Sequence, residues 1–316
     1  MILARSRPQH GPSSSRRKWK FSPFSLIPAI IGVVGMCLLS YPTVASWISQ
    51  YNQSKIVSDY QNEVSTANPE AGVQLQEAHA YNEALSVGAI LAANSHVPEG
   101  EGTSSDQSLN YNAILDANGG GLMARLKIPV IDLDLPIYHG TSDQTLLAGL
   151  GHLEGTSLPV GGAGTRSVIT GHRGLANATM FTNLDKVDIG DTFTIEVFGE
   201  VLTYRVIDTT VVEPEQTESL RAVEGEDLAT LVTCTPLGIN THRILVTGER
   251  ITPTPIADIE KAGSRPEIPG FPWWIVWLIG GFILAGVYVW RSGYPAAPSK
   301  RRKQKKDDVQ AQAHNS

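Results

Sequence analysis

Two long apolar segments, residues 24–48 and 272–290, constrain the fold more than any other feature of the chain. Neither contains a charged residue, and each approaches the roughly 20 residues that a helix needs to cross the hydrocarbon layer of a membrane. Trp19, Trp47 and Trp290 lie near their ends, where a membrane interface favours the indole ring. The pattern predicts one folded domain held between two transmembrane helices.

The charges at the outer ends of the two segments predict their orientation. The basic residues of the tails are Arg5, Arg7, Arg16, Arg17, Lys18 and Lys20 on one side, and Arg291, Lys300, Arg301, Arg302, Lys303, Lys305 and Lys306 on the other. Because Lys and Arg are retained on the cytoplasmic side, we expect tails 1–23 and 291–316 in the cytoplasm and the residues between the two segments outside. A cleaved signal peptide also has a basic leader, but the first apolar segment is long for one and no small-x-small cleavage site follows it. We therefore expect an uncleaved anchor.

The charge balance of the middle of the chain disfavours nucleic acid as a partner. The chain has 25 Lys and Arg against 31 Asp and Glu, a net charge of −6. Much of its positive charge lies in the two tails, so the part between them is strongly acidic. An acidic surface repels a phosphate backbone.

The middle of the chain changes character near Leu122. Residues 49–121 contain helical periodicity, interrupted near Pro69, and a polar stretch that predicts a loop. Residues 122–250 contain many short β-like runs separated by turn residues, which predict a closed, largely antiparallel barrel. Residues 251–271 are rich in proline and predict a stalk before the second apolar segment. The expected strands are 126–130, 131–137, 167–170, 192–197, 201–207, 209–212, 230–232 and 244–247.

A single cysteine in the outer domain is the first candidate for chemistry. The chain has two cysteines, and Cys37 lies within the first apolar segment, so a disulfide with Cys234 is implausible. A free thiol on the oxidising side of a membrane is a liability unless it has a function. The alternative is an inert core cysteine, the commoner fate of free cysteines. The residues around Cys234 decide between these interpretations.

A cysteine nucleophile needs a proton acceptor, and His172 has the strongest setting for that role. It lies in the turn Gly171–Gly174, directly after the strand 167–170, where functional side chains are common. Its alternative is an ordinary surface histidine. Of the other histidines of the outer domain, His79 and His96 are expected in solvent. The remaining candidates are His139, His152 and His242, the last facing away from Arg243 by strand alternation.

Arg243, at the entrance of the strand 244–247, is the third candidate. A guanidinium near the thiol would stabilise the negative charge that builds on a carbonyl oxygen during attack. Its alternative is a salt bridge at the rim of an acidic domain. The sequence contains neither a glycine-rich phosphate loop nor a Cys or His cluster with metal-ligand spacing, so we expect no cofactor and no metal.

The motif TLVTC at 230–234 resembles the TLxTC signature of sortases, the membrane-anchored transpeptidases of Gram-positive surfaces. The resemblance covers residues 122–250 and is closest to the class C, pilin-polymerising branch, which also has two membrane segments. The further matching motifs are LPIYHGT at 135–141, GHLEGTSLPVGG at 151–162, ITGHRGL at 169–175, FTNLDKVDIGD at 181–191, VVEP at 211–214 and CTPLGINTHRILVTGER at 234–250.

The resemblance implies a β-barrel of about eight strands and assigns a role to each candidate. Cys234 would be the nucleophile, His172 the general acid and base, and Arg243 the residue that stabilises the oxyanion and positions the substrate. The enzyme would cleave an LPxTG-type sorting signal and join the acyl group to a lysine amine of the next pilin subunit, without a cofactor. Two alternatives stay open: a sortase that anchors surface proteins to a cell-wall precursor, and an idle relative that serves as a pilus-assembly scaffold.

The chain departs from the class C pattern at one place. That branch commonly has a lid before the barrel, with an Asp-Pro-aromatic motif over the active site. Residues 94–110 contain no such tripeptide, and Asp106 is followed by Gln107 and Ser108. Either other residues form a lid or the site has no gate.

Overall fold

The computed structural model describes residues 19–85, 109–214, 216–266 and 268–294. They fall into two compact units: the described residues of the first are 19–40 and 273–294, and those of the second lie within 41–272. The α-helices are α1 Leu26–Ser65, α2 Ala71–Ala84, α3 Asp143–Ala148, α4 Ile256–Glu260 and α5 Trp273–Ser292, and short 3-10 helices occupy Pro23–Ser25, Tyr111–Ala113, Pro129–Ile131, Leu184–Lys186 and Thr217–Leu220. The strands are β1 Leu122–Ile128, β2 Leu133–His139, β3 Leu150–His152, β4 Thr165–Thr170, β5 Thr192–Val197, β6 Glu200–Val212, β7 Asp227–Thr235 and β8 His242–Arg250.

The eight strands form a closed barrel in the order β1-β2-β3-β4-β7-β8-β6-β5. Two of the contacts, β2 with β3 and β4 with β7, are parallel, and the others are antiparallel. The sequence analysis predicted this closed, largely antiparallel barrel. In it, β5 and β6 form a hairpin, and β7 pairs with β8. The sequence analysis missed β3, which has only three residues and therefore no readable alternation.

Strand β6 is one long strand where the sequence indicated two. The sequence predicted a break between strands at Asp208. The structure has there a shift in the register of β6 against β8, between Val206 and Asp208. A β-bulge of this kind bends a strand without ending it. The first half of β6 pairs with β5, and the second half pairs with β8. The same strand therefore belongs to the barrel on both sides of the bend.

The expected helical region before the barrel is packed onto it by tyrosines. Tyr60 is fully buried, and its hydroxyl donates to the carbonyl of Met123 and accepts from the amide of Phe198, so α1 is bonded to two parts of the barrel. Tyr81 of α2 is also buried, whereas Tyr51 is exposed and stacks on Trp47. Burial of two large aromatic side chains contributes several kcal/mol, at roughly 25 cal/mol per Å² of apolar surface.

A buried group of three charges lies on the face of β1, β2 and β5. The guanidinium of Arg125 forms two hydrogen bonds to Asp134, of 2.7 and 2.6 Å, and contacts Glu196 at 3.3 Å. The backbone amide of Gly263 donates to the same Glu196, so the segment after β8 covers this group. A second bond, from Thr203 to Asp258, fixes the same segment within residues 251–271, the stretch expected as a stalk.

Two helices in the described residues are long and apolar enough to cross a membrane: the continuous helical stretch Pro23–Ser65 and α5. Their most apolar 18-residue windows have mean hydropathies of 2.1 and 1.8, and almost none of their surface is covered by protein. Leu39 is 84% exposed and Trp277 is 77% exposed. Contact of large apolar side chains with water is unfavourable, and an exposed apolar surface of this size is typical of a membrane or protein contact.

Candidate active site

Cys234 and Arg243 are brought together by the ladder between β7 and β8. They are direct partners in this antiparallel pairing, at the end of β7 that leads into the connecting loop. Directly opposed residues of an antiparallel pair have β-carbons about 4.5–5.5 Å apart. The local sequence explains the arrangement, because two β-branched runs flank a loop that contains Pro236 and Gly238.

The parallel pairing of β4 with β7 places His172 beside Cys234. Thr170 is level with Val232 in this pairing, and the amide of Gly171 extends it by donating to the Val232 carbonyl at 3.1 Å. His172 is two residues beyond Thr170, as Cys234 is two residues beyond Val232. The three predicted site residues are therefore on neighbouring strand ends, with Cys234 in the middle.

All three residues line one small pocket, together with Leu146, Thr170 and other neighbours of the strand ends. Cys234 is 8% exposed and Arg243 is 2% exposed, while His172 is half-buried. The thiol and the guanidinium are thus shielded from water, which strengthens electrostatic interactions between them.

Burial raises the pKa of the Cys234 thiol above its ordinary value, and the positive charge of Arg243 acts in the opposite direction. The first effect is the larger one. The cysteine therefore rests as a thiol near neutral pH, and reaction requires a group that accepts its proton.

The loop between β7 and β8 fixes the direction of the Arg243 side chain. One terminal nitrogen donates to the carbonyls of Asn240, at 2.9 Å, and His242, at 3.1 Å. Asn240 has a left-handed backbone, with φ of 59°, and its amide donates to the Pro236 carbonyl at 2.9 Å. Asparagine tolerates this conformation better than most residues, which explains why an asparagine suits this position of the loop.

The other histidines have different surroundings. His79 is exposed, as expected, and His96 lies outside the described residues. His242 is half-buried, and its Nδ1 contacts the hydroxyl of Thr241 at 2.9 Å. His139 lies with both ring nitrogens near backbone carbonyls, at 3.0 and 2.7 Å.

His152 is a structural histidine of the barrel wall. It is completely buried, and burial lowers its pKa to about 4. Its Nε2 lies 2.9 Å from the Ser157 carbonyl, which can only accept, so this nitrogen carries the proton. Its Nδ1 then accepts from the hydroxyl of Tyr111 at 3.0 Å. The ring fastens the segment before β1 to the barrel.

Two residues near the site were not singled out from the sequence. Thr233 is buried, and its hydroxyl donates to the Gly171 carbonyl at 2.7 Å, which links the nucleophile strand to the histidine turn. Arg173 bonds to Thr235 at 2.9 Å. Both contacts join residues about 60 positions apart in the chain, so no local pattern indicates them.

Two further kinds of site were considered: a metal centre and a lid over the pocket. Within the described ranges, no group of three or more His, Cys, Asp or Glu side chains has the arrangement of a metal site. The region in which a lid was considered, residues 94–110, lies outside the described residues up to position 108.

Comparisons with known proteins agree with the fold and the site motifs. The family model described as the sortase domain matches residues 126–251. Sortase C-1 of Actinomyces oris is 47% identical, with a TM-score of 0.51, over 57% of this chain and 98% of that one. Sortase C of Streptococcus pneumoniae is 39% identical, with a TM-score of 0.54, over 62% of this chain and 96% of that one. By sequence, sortase D of Bacillus subtilis is 28% identical over 166 residues, which are 52% of this chain and 80% of that protein.

The matched region contains the end of β1, the whole of β2 to β8 and all three candidate residues. Structural neighbours at 38–47% identity include several class C sortases. The chain therefore belongs to the sortase family of cysteine transpeptidases, with class C sortases among its structural neighbours.

Proposed function

We propose that this sortase is a membrane-anchored transpeptidase that cleaves an LPxTG-type sorting signal and joins pilin subunits covalently. The observation that carries the proposal is the shared pocket of Cys234, His172 and Arg243 at three adjacent strand ends. A thiol, a titratable imidazole and a permanent cation are the parts that acyl transfer through a thioester requires.

In the first half-reaction, His172 accepts the proton of the Cys234 thiol as the sulfur attacks the carbonyl carbon of the substrate threonine. The carbonyl oxygen becomes negative, and the buried guanidinium of Arg243 stabilises it. As the tetrahedral intermediate collapses, the Thr–Gly C–N bond breaks. His172 returns its proton to the departing glycine amine, which leaves a thioester on Cys234.

In the second half-reaction, a lysine amine of another subunit attacks the thioester carbonyl. His172 takes a proton from the amine as the new C–N bond forms and the C–S bond breaks. That proton then returns to the sulfur. The product is an isopeptide bond, and the enzyme regains its thiol without a net gain or loss of electrons or protons.

Two apolar helices and the basic tails support the membrane part of the proposal. Each helix is long enough to cross the hydrocarbon layer, and the Lys and Arg residues lie on their outer ends. In this orientation both termini are cytoplasmic and the barrel lies on the outer surface, where sorting signals arrive.

The neighbours favour pilin polymerisation over wall anchoring. The structural neighbours include a sortase C whose structure addresses pilin substrate specificity, and a sortase C2 of a streptococcal pilus island. The two membrane segments also suit the class C branch better than a housekeeping anchor enzyme. An acceptor in a cell-wall precursor is the competing possibility.

A thioester test separates an active enzyme from an idle scaffold. The full chain in detergent is mixed with an LPxTG peptide, and the acyl-enzyme is trapped and weighed by mass spectrometry. We expect an adduct on the wild type and on Cys37→Ala, which removes the other cysteine, and none on Cys234→Ala. An adduct of equal yield on Cys234→Ala would refute the nucleophile.

A second assay identifies the acceptor. The same protein is supplied with a pilin that has an LPxTG-type signal and a surface lysine. A ladder of covalent multimers is the expected product. If only single subunits joined to a wall-precursor amine accumulate, polymerisation is wrong and anchoring is the activity.

A further inference from the structure

A second contact lies beside His172 and Cys234 and joins the residues that directly follow them in the chain. Arg173 follows His172 and Thr235 follows Cys234, and one terminal nitrogen of Arg173 donates to the Thr235 hydroxyl at 2.9 Å. Neither Arg173 nor Thr235 is among the residues that line the pocket of the catalytic residues. The contact therefore joins the same two chain segments as the catalytic residues without occupying their pocket.

The remaining donors of Arg173 hold it in the loop that follows His172. The Nε donates to the Thr182 carbonyl at 3.3 Å, and the second terminal nitrogen forms an ion pair with Asp185 at 2.7 Å. The Arg173 side chain is 8% exposed, whereas Asp185 is 45% exposed. The planar guanidinium thus donates in three fixed directions, to Thr235 of the nucleophile strand and to two residues of its own loop.

His172 lies beyond the regular backbone pairing of β4 with β7. Strand β4 ends at Thr170, and its last backbone bond to β7 is the one made by Gly171. The His172 carbonyl accepts from the amide of Phe181, which closes the loop on itself but does not connect it to β7. Among the side-chain bonds of the described residues, Thr233 to Gly171 and Arg173 to Thr235 connect this turn to the nucleophile strand.

We propose that Arg173 is a positioning residue for the transpeptidation, which holds the His172 turn in register with Cys234 through Thr235. This inference rests on the roles proposed above for His172 and Cys234. Arg173 is not among the residues that line the pocket of the Cys234 thiol. It acts through the distance and angle between imidazole and thiol, on which proton transfer depends.

The role predicts a particular kinetic pattern. Misplacement of a catalytic group by about 1 Å can cost on the order of 100-fold in rate. Because Arg173 and Thr235 do not line the catalytic pocket, we expect substrate binding to change little. The loss is therefore in the acylation rate at saturating peptide and not in the peptide concentration that saturates the enzyme.

The test uses the full chain in detergent and an LPxTG peptide, with acylation followed by mass spectrometry in single turnover. The variants are Arg173→Gln, Arg173→Lys, Thr235→Val and Asp185→Asn, with Arg221→Gln as a matched control at an exposed arginine. Thermal unfolding and the number of thiols that react with iodoacetamide are measured for each. Rates are then expressed per intact Cys234.

We expect Arg173→Gln to slow acylation about 10- to 100-fold per intact thiol, with half-saturation within about 3-fold of the wild type. Thr235→Val, which removes only the hydroxyl, slows it about 3- to 10-fold. The combined variant is no slower than Arg173→Gln, because both remove one contact. Arg173→Lys restores the charge opposite Asp185 and the thermal stability, but it stays slow, since an ammonium cannot reach all three acceptors. Asp185→Asn and Arg221→Gln remain within about 3-fold of the wild type.

Several outcomes would overturn the proposal. If Arg173→Gln is less stable yet acylates at the wild-type rate per intact thiol, Arg173 only supports the fold. A combined variant whose fold loss in acylation rate is the product of the losses in Thr235→Val and Arg173→Gln would show that the two residues do not act through one contact. A wild type that forms no thioester would refute the proposed function itself, whereas a wild type and Arg173→Gln that acylate equally refute only the positioning role.

Discussion

Cys234 and Arg243 are directly opposed residues of the antiparallel ladder between β7 and β8. A strand pair of this kind fixes both backbones, so the thiol and the guanidinium are held together before any substrate arrives. Preorganised charge of this sort costs no rearrangement during reaction. The pairing also makes the thiol pKa depend on the arginine.

Replacement of Arg243 by Gln is expected to raise the pKa of Cys234 further. The positive charge of Arg243 lowers that pKa and burial raises it, so removal of the charge leaves burial unopposed. The midpoint of the pH profile for iodoacetamide alkylation therefore moves upward, and alkylation at neutral pH slows.

The same replacement also tests the oxyanion role. Acylation by an LPxTG peptide falls about 100- to 1,000-fold if Arg243 stabilises the oxyanion. Arg205→Gln, at an exposed arginine of β6, serves as the control. An alkylation midpoint that stays in place or moves down would contradict the electrostatic assignment.

Gly171→Ala is expected to disturb the histidine turn through packing alone. An added β-carbon would lie 2.7 Å from side-chain atoms of Leu150 and Phe181, closer than real contacts allow. Overpacking of this kind costs about 1–3 kcal/mol, and the shift is passed to the adjacent His172. The melting temperature and the acylation rate should both fall. Gly72→Ala is the matched control, since its added carbon meets open space. A fully active and stable Gly171→Ala would refute the tight packing.

Arg125→Met is expected to destabilise the barrel strongly without a direct effect on chemistry. Asp134 and Glu196, which are 6% and 4% exposed, would lose their buried cation. Removal of one partner of a buried ionic group costs about 3–5 kcal/mol, because the remaining charge is uncompensated. Chemical unfolding followed by circular dichroism measures the loss. Arg205→Met should change stability by no more than about 0.5 kcal/mol. A similarly small change in Arg125→Met would show that the carboxylates find other partners.

His152 makes stability depend on pH in a defined window. Its pKa is about 4 in the folded protein and near 6.5 in the unfolded chain. Above pH 6.5 the ring is neutral in both states, and its contribution is complete. As the pH falls from about 6.5 to 4, only the unfolded chain takes up the proton, and about 3 kcal/mol of stability is lost.

His152→Gln tests this linkage, since its amide can donate to the Ser157 carbonyl without titrating. The variant should show a flatter dependence of unfolding free energy on pH between about 4 and 6.5. His79→Gln, at an exposed histidine of α2, should keep the wild-type slope. Identical slopes in His152→Gln and the wild type would mean that other groups dominate acid unfolding.

Local patterns in the sequence were sufficient for much of the barrel, and they named three candidate site residues whose roles only the family resemblance assigned. Strand β5 was predicted with its observed ends, because alternation of apolar and polar residues marks a half-buried strand. Cys234 was distinguished by its isolation, and His172 by its position after a strand. The boundaries of β1 and β7 were predicted less well, since both continue as buried runs in which alternation is weak.

The sequence by itself determined the two apolar helices and the many-stranded domain between them, because these follow from composition and short-range periodicity. Its motifs, by resemblance to a known family, also named the three candidate site residues. Only the tertiary structure decided that Arg173 bonds to Thr235 and that Thr233 bonds to Gly171. It also decided that Arg125 lies between two carboxylates. These contacts connect residues that the closing of the barrel brings together, and the register between β4 and β7 is a property of the whole sheet. The alignment of His172 with Cys234 therefore depends on long-range strand pairing that no local stretch of sequence specifies.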